Sequence, residues 1–482
     1  MPTRKKTKIV ATLGPACNDK KIIEEMMTVG VNVFRINFSH AEYENVAQKI
    51  KEIREINKRK GYNVAILADL QGPKLRVGVM KEGVVVGKGQ QFIFTTEKCE
   101  GTSERAYMTY KNFPKDVKAG EKILVDDGKL LFKVLETNGK TEVITEVLRG
   151  GPLKSKKGVN LPNTDISLPA LTEKDKKDVL FAIEQEVDWI ALSFVRNVED
   201  LVELRQLITE KSAFRIPIIA KIEKPEAVAK ISRLTAYCDG LMVARGDLGV
   251  EVEMEKVPLI QKKIVLQAKK ARVPVIIATQ MMETMITNQV PTRAEVNDVA
   301  NSIMDGADAV MLSGETSVGQ YPVEVIHKMR NIIENVEDSP LIATPTVFIR
   351  SVNERFISKT VCYQAAKMAD DIGATVISTL TNSGYTAFQI SAWRPKSNIL
   401  AFSDNRRILA MLNLLWGVKA HFYNREVSTD QTVEDINRIA VEKGYAETGD
   451  YIVNLTSMPV KAKGMVNTIR ISQIDSEVEK EE

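Results

Sequence analysis

Lys221 and Glu223 stand two apart in IIAKIEKPEA, residues 218–227, directly after an apolar run that reads as a buried strand. Alternate residues of a strand face the same side, so an ammonium and a carboxylate emerge together from what should be core. Isolated buried charges are too costly to keep without a partner or a ligand. Two readings remain: a mutual ion pair closing the strand, or a site that holds something charged. The pattern recurs elsewhere. Arg245 and Asp247 follow the run GLMVA at the same spacing, and Arg35, Asn37 and Ser39 alternate through VFRINFSH. Asp69, Thr279 with Gln280, and Ser313 with Glu315 close three further apolar runs. Two carboxylates on neighbouring strands, Glu223 and Asp247, suit Mg²⁺ or Mn²⁺, hard ions that keep waters and accept substrate oxygens. Arg35 and Lys221 would then face an anion held by the same ion. A ring of Arg, Lys, Asp and Glu around a metal is what phosphoryl transfer requires, because the protein's task there is positioning and charge neutralisation.

These residues need a frame. Eight short apolar runs, KIVATLG, VFRINFSH, AILADLQG, WIALSFV, IPIIAKIE, GLMVARGD, VPVIIATQ and AVMLSGE, each end in polar residues. Helix-like segments lie between most of them, the alternation of βα units. Eight units in order predict an α/β fold, a (β/α)8 TIM barrel with its active site at the C-terminal ends of the strands. One gap, roughly 120 residues between AILADLQG and WIALSFV, is far too long for a βα loop. Residues 73–163 there carry alternating strand patterns and tight-turn residues at DDGK and TNGK, and predict a small inserted β-barrel domain sitting as a lid over the barrel mouth. The barrel thus comprises residues 1–72 and 164–345. From 346 to 482, strand-like ATVISTL, NILAFS, VKAHFYN and DYIVNLT alternate with helical segments, and VNTIRISQI adds an antiparallel edge. That predicts a C-terminal α/β domain with a mostly parallel sheet.

Composition excludes several classes. The net charge is +4 over 482 residues, and the basic runs TRKKTK and KSKKG lack interleaved aromatics, so no nucleic-acid partner is expected. No apolar run of about 18 residues could cross a bilayer, and MPTRKKTKIV passes into TLGPACNDK without a secretory h-region; we expect a cytoplasmic protein with no membrane partner. Four scattered cysteines and three histidines, His40, His327 and His421, argue against a disulfide framework, a zinc site or a His-centred triad. No GxxxxGK[ST] loop or protein-kinase motif is present.

The stretches VFRINFSH, DLQGPK, AKIEKPEA, VARGDLGVE, ATQMMETMITNQVPTRAEVNDVAN and DAVMLSGETSVGQYPVEV resemble those of pyruvate kinases, and barrel, lid and C-terminal domain follow that family's order. The resemblance implies phosphoenolpyruvate and ADP as substrates, pyruvate and ATP as products, and a place at the last step of glycolysis. It implies that Arg35 and Lys221 contact the transferring phosphoryl group, that Glu223 and Asp247 bind Mg²⁺, and that the backbone at Gly246 and Asp247 holds the substrate carboxylate. Lys221 would steady the enolate, and Thr279 would lie where it is protonated. Asn37, His40, Arg76 and Lys157 match nucleotide-contacting positions. One departure stands out. Many members bind K⁺ and carry Thr-Lys before the Gly-Pro and Glu after it, whereas this chain reads Asp69, Leu70, Gln71, Gly72, Pro73, Lys74. An ammonium at Lys74 and a K⁺ ion would repel, so we expect little or no K⁺ requirement, although Asn37, Ser39, Asp69 and Leu70 retain the makings of a K⁺ site. The resemblance further implies a homotetramer and a sugar-phosphate or nucleotide effector at Thr381, Ser383, Gly384 and Thr386, where an ordinary helix cap is the plainer reading. Two rivals share the barrel and its charges: an aldolase- or lyase-type enzyme of phosphoenolpyruvate or a keto acid, and a non-catalytic metabolite sensor.

Overall fold

The computed structural model describes residues 5–39, 41–162, 164–339, 355–458 and 466–475. Eight parallel strands close a barrel: β1 (Lys8–Thr12), β2 (Val33–Asn37), β3 (Ala65–Asp69), β4 (Trp189–Leu192), β5 (Ile218–Ile222), β6 (Gly240–Ala244), β7 (Val275–Ala278) and β8 (Ala309–Leu312). Their neighbours run in chain order, and β1 pairs with β8 to shut the ring. Each strand is a short run of apolar residues because both of its faces are covered, outward by helices and inward by the barrel's own core. Val10, Val33, Leu67, Trp189, Ile219, Met242, Ile276 and Met311 fill that interior. Ile219 faces in, so period two turns Lys221 inward one layer higher, toward the open C-terminal mouth.

The two mouths are covered differently. At the N-terminal end the C-terminal domain forms the plug: Leu414, Met411 and Phe388 join the interior cluster, and Trp189 Nε1 donates to the Met411 carbonyl at 3.0 Å. That domain has the expected sheet. Strands β9 (Val376–Leu380), β10 (Asn398–Ser403), β11 (Val418–Phe422) and β12 (Tyr451–Thr456) are parallel, and β13 (Thr468–Gln473) adds an antiparallel edge to β12. The inserted segment is strand-built around its own core of Phe92, Phe94, Phe113 and Phe132. It forms a six-stranded sheet and a two-stranded ribbon, with isolated bridges at Arg76, Val77 and Met80 extending the pairing. At DDGK the backbone turns through Asp126, Asp127 and Gly128 at positive φ of 53°, 54° and 83°, the left-handed sequence that Asp and Gly accept in a tight hairpin. The expected boundaries at 163 and at 345/346 fall on positions outside the described residues. Among the described residues no helix is long and apolar enough to cross a membrane.

Candidate active site

The charged residues at the ends of β2, β3 and β5 converge. Arg35 Nε lies 2.7 Å from Asp69 Oδ2, and its guanidinium also donates to Thr12 Oγ1 at 3.1 Å. Lys221 Nζ lies 3.0 Å from Glu223 Oε1 and 3.2 Å from Asp69 Oδ1, and donates to Ser193 Oγ at 2.7 Å. Ser193 in turn donates to the Leu70 carbonyl at 2.7 Å, and the Phe194 amide donates to Glu223 Oε2 at 2.6 Å. Asp69 and Glu223 are each 1% exposed and Lys221 8%, so these are interior charges. The mutual ion pair that the spacing allowed is therefore real. It is also incomplete, because Lys221 lies off the hydrogen-bonding direction of Asp69 Oδ1 and leaves that oxygen without a hydrogen bond.

Electrostatics sort the carboxylates. Burial works to raise the Asp69 pKa and is outweighed by Lys221 and Arg35, which hold it below the ordinary range. Glu223 goes the other way: burial raises it, the nearby Asp247 raises it further, and Lys221 does not compensate. Burial disfavours the Lys221 ammonium, but Asp69 and Glu223 together raise its pKa above the ordinary lysine value. Counting the five groups, two cations (Arg35, Lys221) face three carboxylates (Asp69, Glu223, Asp247), an excess of one carboxylate. Among the described residues Asp247 makes no ion pair and its side chain no hydrogen bond. A free carboxylate beside a Glu that resists ionisation fits a hard divalent cation, with Glu223 and Asp247 as its protein ligands and positions left for oxygens of a substrate.

One expectation is corrected here. Arg245 and Asp247 are not a same-face pair on a strand, because β6 ends at Ala244 and a helix, Arg245–Glu251, begins at once. Residues two apart on a helix diverge. Asp247 lines a cavity of about 690 Å³ with Gly246, Gln280 and, from the lid, Asp127. Arg245 lines the same cavity but is tied to its wall, reaching Asp298 at 2.7 Å and the Thr279 and Gln280 carbonyls at 2.8 and 3.1 Å. Those two carbonyls belong to left-handed residues, Thr279 at φ 68° and Gln280 at φ 55°. For a β-branched residue that conformation is strained and survives only where the surroundings impose it. The Thr279 hydroxyl accepts from the Gly246 amide at 2.8 Å and donates to the Ala278 carbonyl at 2.6 Å.

The remaining expected residues scatter more widely. Asn37 accepts from the Ser39 amide at 3.1 Å, and Leu70 is buried with its amide on Ala191. His40 lies outside the described residues. On the lid, Arg76 donates to the Lys156 carbonyl at 2.9 Å and Lys157 pairs with Asp126 at 2.8 Å, so both are held within the lid. Lys74 is exposed on the first lid connector and, among the described residues, pairs with no carboxylate; it lines a small cleft with Asp127, Lys224 and Asp247 rather than touching Asp69. Glu315 is buried, which raises its pKa, and accepts from the Ser313 and Met282 amides at 2.7 and 3.1 Å. His421 is a core residue on β11 between Phe402 and Tyr445, where burial and Lys443 push its pKa down to about 4. In the C-terminal domain the expected phosphate loop is partly self-satisfied: Thr381 Oγ1 accepts from the Gly384 amide at 3.0 Å, and Thr379 bonds Thr386 at 2.9 Å. Only Ser383 of the four lines the cavity of about 610 Å³ between barrel and C-terminal domain, a cavity that Arg215, Arg272 and Arg407 also line. Thr12, Ser193 and Phe194 were missed. Ser193 had a signal, since it is the polar residue closing WIALSFV as others close the neighbouring runs.

Comparison with known proteins places this arrangement. Residues 4–326 match the family model "Pyruvate kinase, barrel domain" and residues 359–472 match "Pyruvate kinase, alpha/beta domain". The chain is 41% identical to the pyruvate kinase of Geobacillus stearothermophilus over 477 residues, covering 98% of this chain and 81% of that protein. It is 40% identical to the Staphylococcus aureus (strain USA300) pyruvate kinase over 480 residues, with the same coverage of 98% and 81%. Its structure superposes on the crystal structure of a pyruvate kinase from Cryptosporidium parvum with TM-score 0.90 at 32% identity, covering 98% of this chain and 97% of the other.

Proposed function

The chain belongs to the pyruvate kinase family, and from that premise we propose how its own residues carry the transfer of a phosphoryl group from phosphoenolpyruvate to ADP. The family assignment makes the chain a phosphotransferase and removes the aldolase, lyase and sensor readings. The family is metal-dependent; we assign the ion to Mg²⁺ or Mn²⁺, held by Glu223 and Asp247. When bound, such an ion neutralises phosphate oxygens and draws charge from the substrate. The rest falls to the chain. Arg35 and Lys221 stand side by side on Asp69, whose pKa they hold below the ordinary range, at the C-terminal end of the barrel strands. Both bind the transferring phosphoryl group, and Lys221 then stays on the enolate oxygen that the departing group leaves negative. Gly246 and Asp247 amides take the substrate carboxylate. Since the Gly246 N–H is occupied by Thr279 Oγ1, an incoming carboxylate displaces that hydroxyl and frees it to orient a proton donor toward the enolate carbon. Asn37, His40, Arg76 and Lys157 hold the nucleotide, the last two after exchanging their lid partners for phosphate oxygens.

The observation that carries this reading is the excess of carboxylates over cations, three to two, among five converging side chains, with Asp247 unpaired among the described residues. It is tested by following pyruvate formation from phosphoenolpyruvate with and without ADP and with and without divalent ion. The E223Q and D247N variants should lose most activity and bind Mn²⁺ weakly in the absence of substrates. Unchanged Mn²⁺ binding in both would remove the metal assignment. We also propose that Lys74 makes K⁺ unnecessary, that the protein works in the cytoplasm as a homotetramer, and that a phosphorylated effector binds at Ser383. Arg215, Arg272 and Arg407, which line the same cavity as Ser383 and would exchange their present partners Asp239, Gln389 and Glu186 for a phosphate, support the last, and flat kinetics across a panel of sugar phosphates and nucleotides would remove it.

A further inference from the structure

Next to the paired carboxylates lies a second buried ion pair with no part in the chemistry above. Lys224 Nζ is 2.8 Å from Glu251 Oε1, with side-chain exposures of 8% and 0%. The same oxygen accepts from Asn160 Nδ2 at 2.8 Å. These three residues come from three separate parts of the molecule. Lys224 directly follows Glu223 at the end of β5. Glu251 is the last residue of the Arg245–Glu251 helix, four after Asp247, so the two carboxylates share one helix face a turn apart. Asn160 belongs to the second lid connector, where Val159 and Asn160 pair with Val125 and Leu124 just before the DDGK turn. Glu251 Oε2 is buried without a hydrogen bond beside a cleft of about 40 Å³ that also touches Lys74, Asp127 and Asp247.

We infer that Glu251 is a positioning residue that sets the lid angle from the substrate helix, with Asn160 as the lid's contact and Lys224 as its buried ion-pair partner from the barrel. The argument is one of charge and connectivity. A carboxylate with no exposed surface needs compensation, and Lys224 supplies it from the barrel alone, so the Asn160 bond is not needed to neutralise the pair. It links the pair to the lid instead. The lid leaves the barrel at Gly72 and returns through residues 158–162. The first connector is sterically set, since a Cβ at Gly72 would lie 2.9 Å from the Phe194 ring and 3.0 Å from Ser193 Cβ. The second has, among the described residues 158–162, one side-chain hydrogen bond to the barrel, from Asn160 to Glu251, and is fixed again further on where Arg196 donates to the Ile166 and Leu168 carbonyls at 2.6 and 2.7 Å. Tilting the lid must stretch the Asn160 bond, and the pull falls on a helix whose other turn carries Asp247. Lid position and substrate helix are thereby coupled through Glu251.

The consequence for the reaction rests on the reading that the lid residues Arg76 and Lys157 contact the nucleotide. The test separates the two claims by using a readout free of nucleotide. N160A removes the lid link and leaves the Lys224 and Glu251 pair intact. We expect about a tenfold rise in KM for ADP, the lower end of what a hydrogen bond to a charged acceptor contributes. The kcat and the KM for phosphoenolpyruvate should stay within about threefold. In the ligand-free enzyme, amide hydrogen exchange at residues 73–77 and 158–162 should accelerate. N160D sets two carboxylates together and should be worse on every measure. The swapped pair N160D/E251Q restores one donor, one acceptor and one counter-charge for Lys224, and should recover KM for ADP to within about threefold of the unaltered enzyme. Unchanged connector exchange in N160A overturns the inference, as does a swapped pair no better than N160D. Faster exchange with an unchanged KM for ADP upholds Glu251 as the lid anchor and overturns the nucleotide role of the lid instead.

Discussion

Replacing Lys221 by methionine keeps the length of the side chain and removes its charge. In the structure the ammonium sits 3.0 Å from Glu223 and 3.2 Å from Asp69, both 1% exposed. At an effective dielectric of 20 each contact is worth about 5 kcal/mol. Several kcal/mol of desolvation per ion and the nearby Arg35 offset much of the sum. Removing one partner leaves two buried carboxylates with Arg35 as their nearest compensation, and breaking a buried pair in this way costs about 3–5 kcal/mol. Urea unfolding of K221M without metal should show that loss. Its pH dependence has a definite sign. The folded pKa of Lys221 is raised, so its contribution is fully present below the unfolded lysine value near 10.4 and disappears only as pH rises through the higher folded value. On the alkaline side the deficit of K221M should therefore stay level up to about pH 9, and it should lessen toward acid pH, where Glu223, raised further without Lys221, takes up a proton. Saturating Mn²⁺ should shrink it, because a divalent ion on Glu223 and Asp247 compensates Glu223, one of the two carboxylates that lose the ammonium. K221M should thus gain more from the ion than the unaltered protein, for which an ion at 100 times its Kd contributes about 2.7 kcal/mol. Turnover in an assay coupled to pyruvate reduction should fall at least 10²- to 10³-fold, the usual loss for one charge-stabilising donor. A variant that keeps a tenth of the turnover, or whose deficit ignores Mn²⁺, would refute the claim that ammonium and metal share Glu223.

Three further predictions test other parts of the molecule. R245K loses the fork that spans Asp298 and the two left-handed carbonyls; as Thr279 relaxes, kcat should drop roughly tenfold or more while KM for phosphoenolpyruvate moves less, and equal changes in both would point to binding alone. Activity in buffers whose only monovalent cation is tetramethylammonium should match that in K⁺, and K74M should lower it in a way that K⁺ partly restores; a large loss for the unaltered enzyme sinks the Lys74 proposal. At the seam between barrel and C-terminal domain, Lys5 and Lys8 are 3% and 4% exposed, Lys5 donating to Asn32 and Lys8 to the Val418 carbonyl at 2.7 Å. Burial, with Lys419 adding its charge, lowers Lys5 to about 7, and Lys8 lies well below its ordinary value. Between these folded values and about 10.4 the unfolded chain binds more protons, so stability should rise from pH 7 to 9 by up to about 1.4 kcal/mol per unit per group. Urea midpoints that stay flat over that range, or a slope that K5M leaves untouched, would contradict this.

How much of this was legible depends on whether the chain stayed in one period. Within β2 and β5 it did, and Arg35, Lys221 and the inward direction of their side chains follow from alternation alone, as do the eight strands, each apolar until its last polar residue. Period two failed where the chain changed element at Ala244. Nothing in VARGD distinguishes a continuing strand from a helix starting at Arg245, and the difference decides that Arg245 is tied to the Thr279 carbonyl while the Asp247 side chain makes no hydrogen bond among the described residues. Positive φ at Thr279 was equally hidden, because Thr itself resists it and its carbonyl meets its partner, Arg245, 34 residues away. The lid junction was least legible of all. Lys224 drew no reading of its own, and Asn160 and Glu251 are 91 positions apart. A compensated buried charge is a relation between distant segments, visible only once the fold has brought them together. Sequence periodicity can locate the groups that meet substrate, since those line one rim and repeat with the strands. It cannot locate the groups that hold the rim to the lid, since these answer to a junction that occurs once in the chain and has no period to betray it.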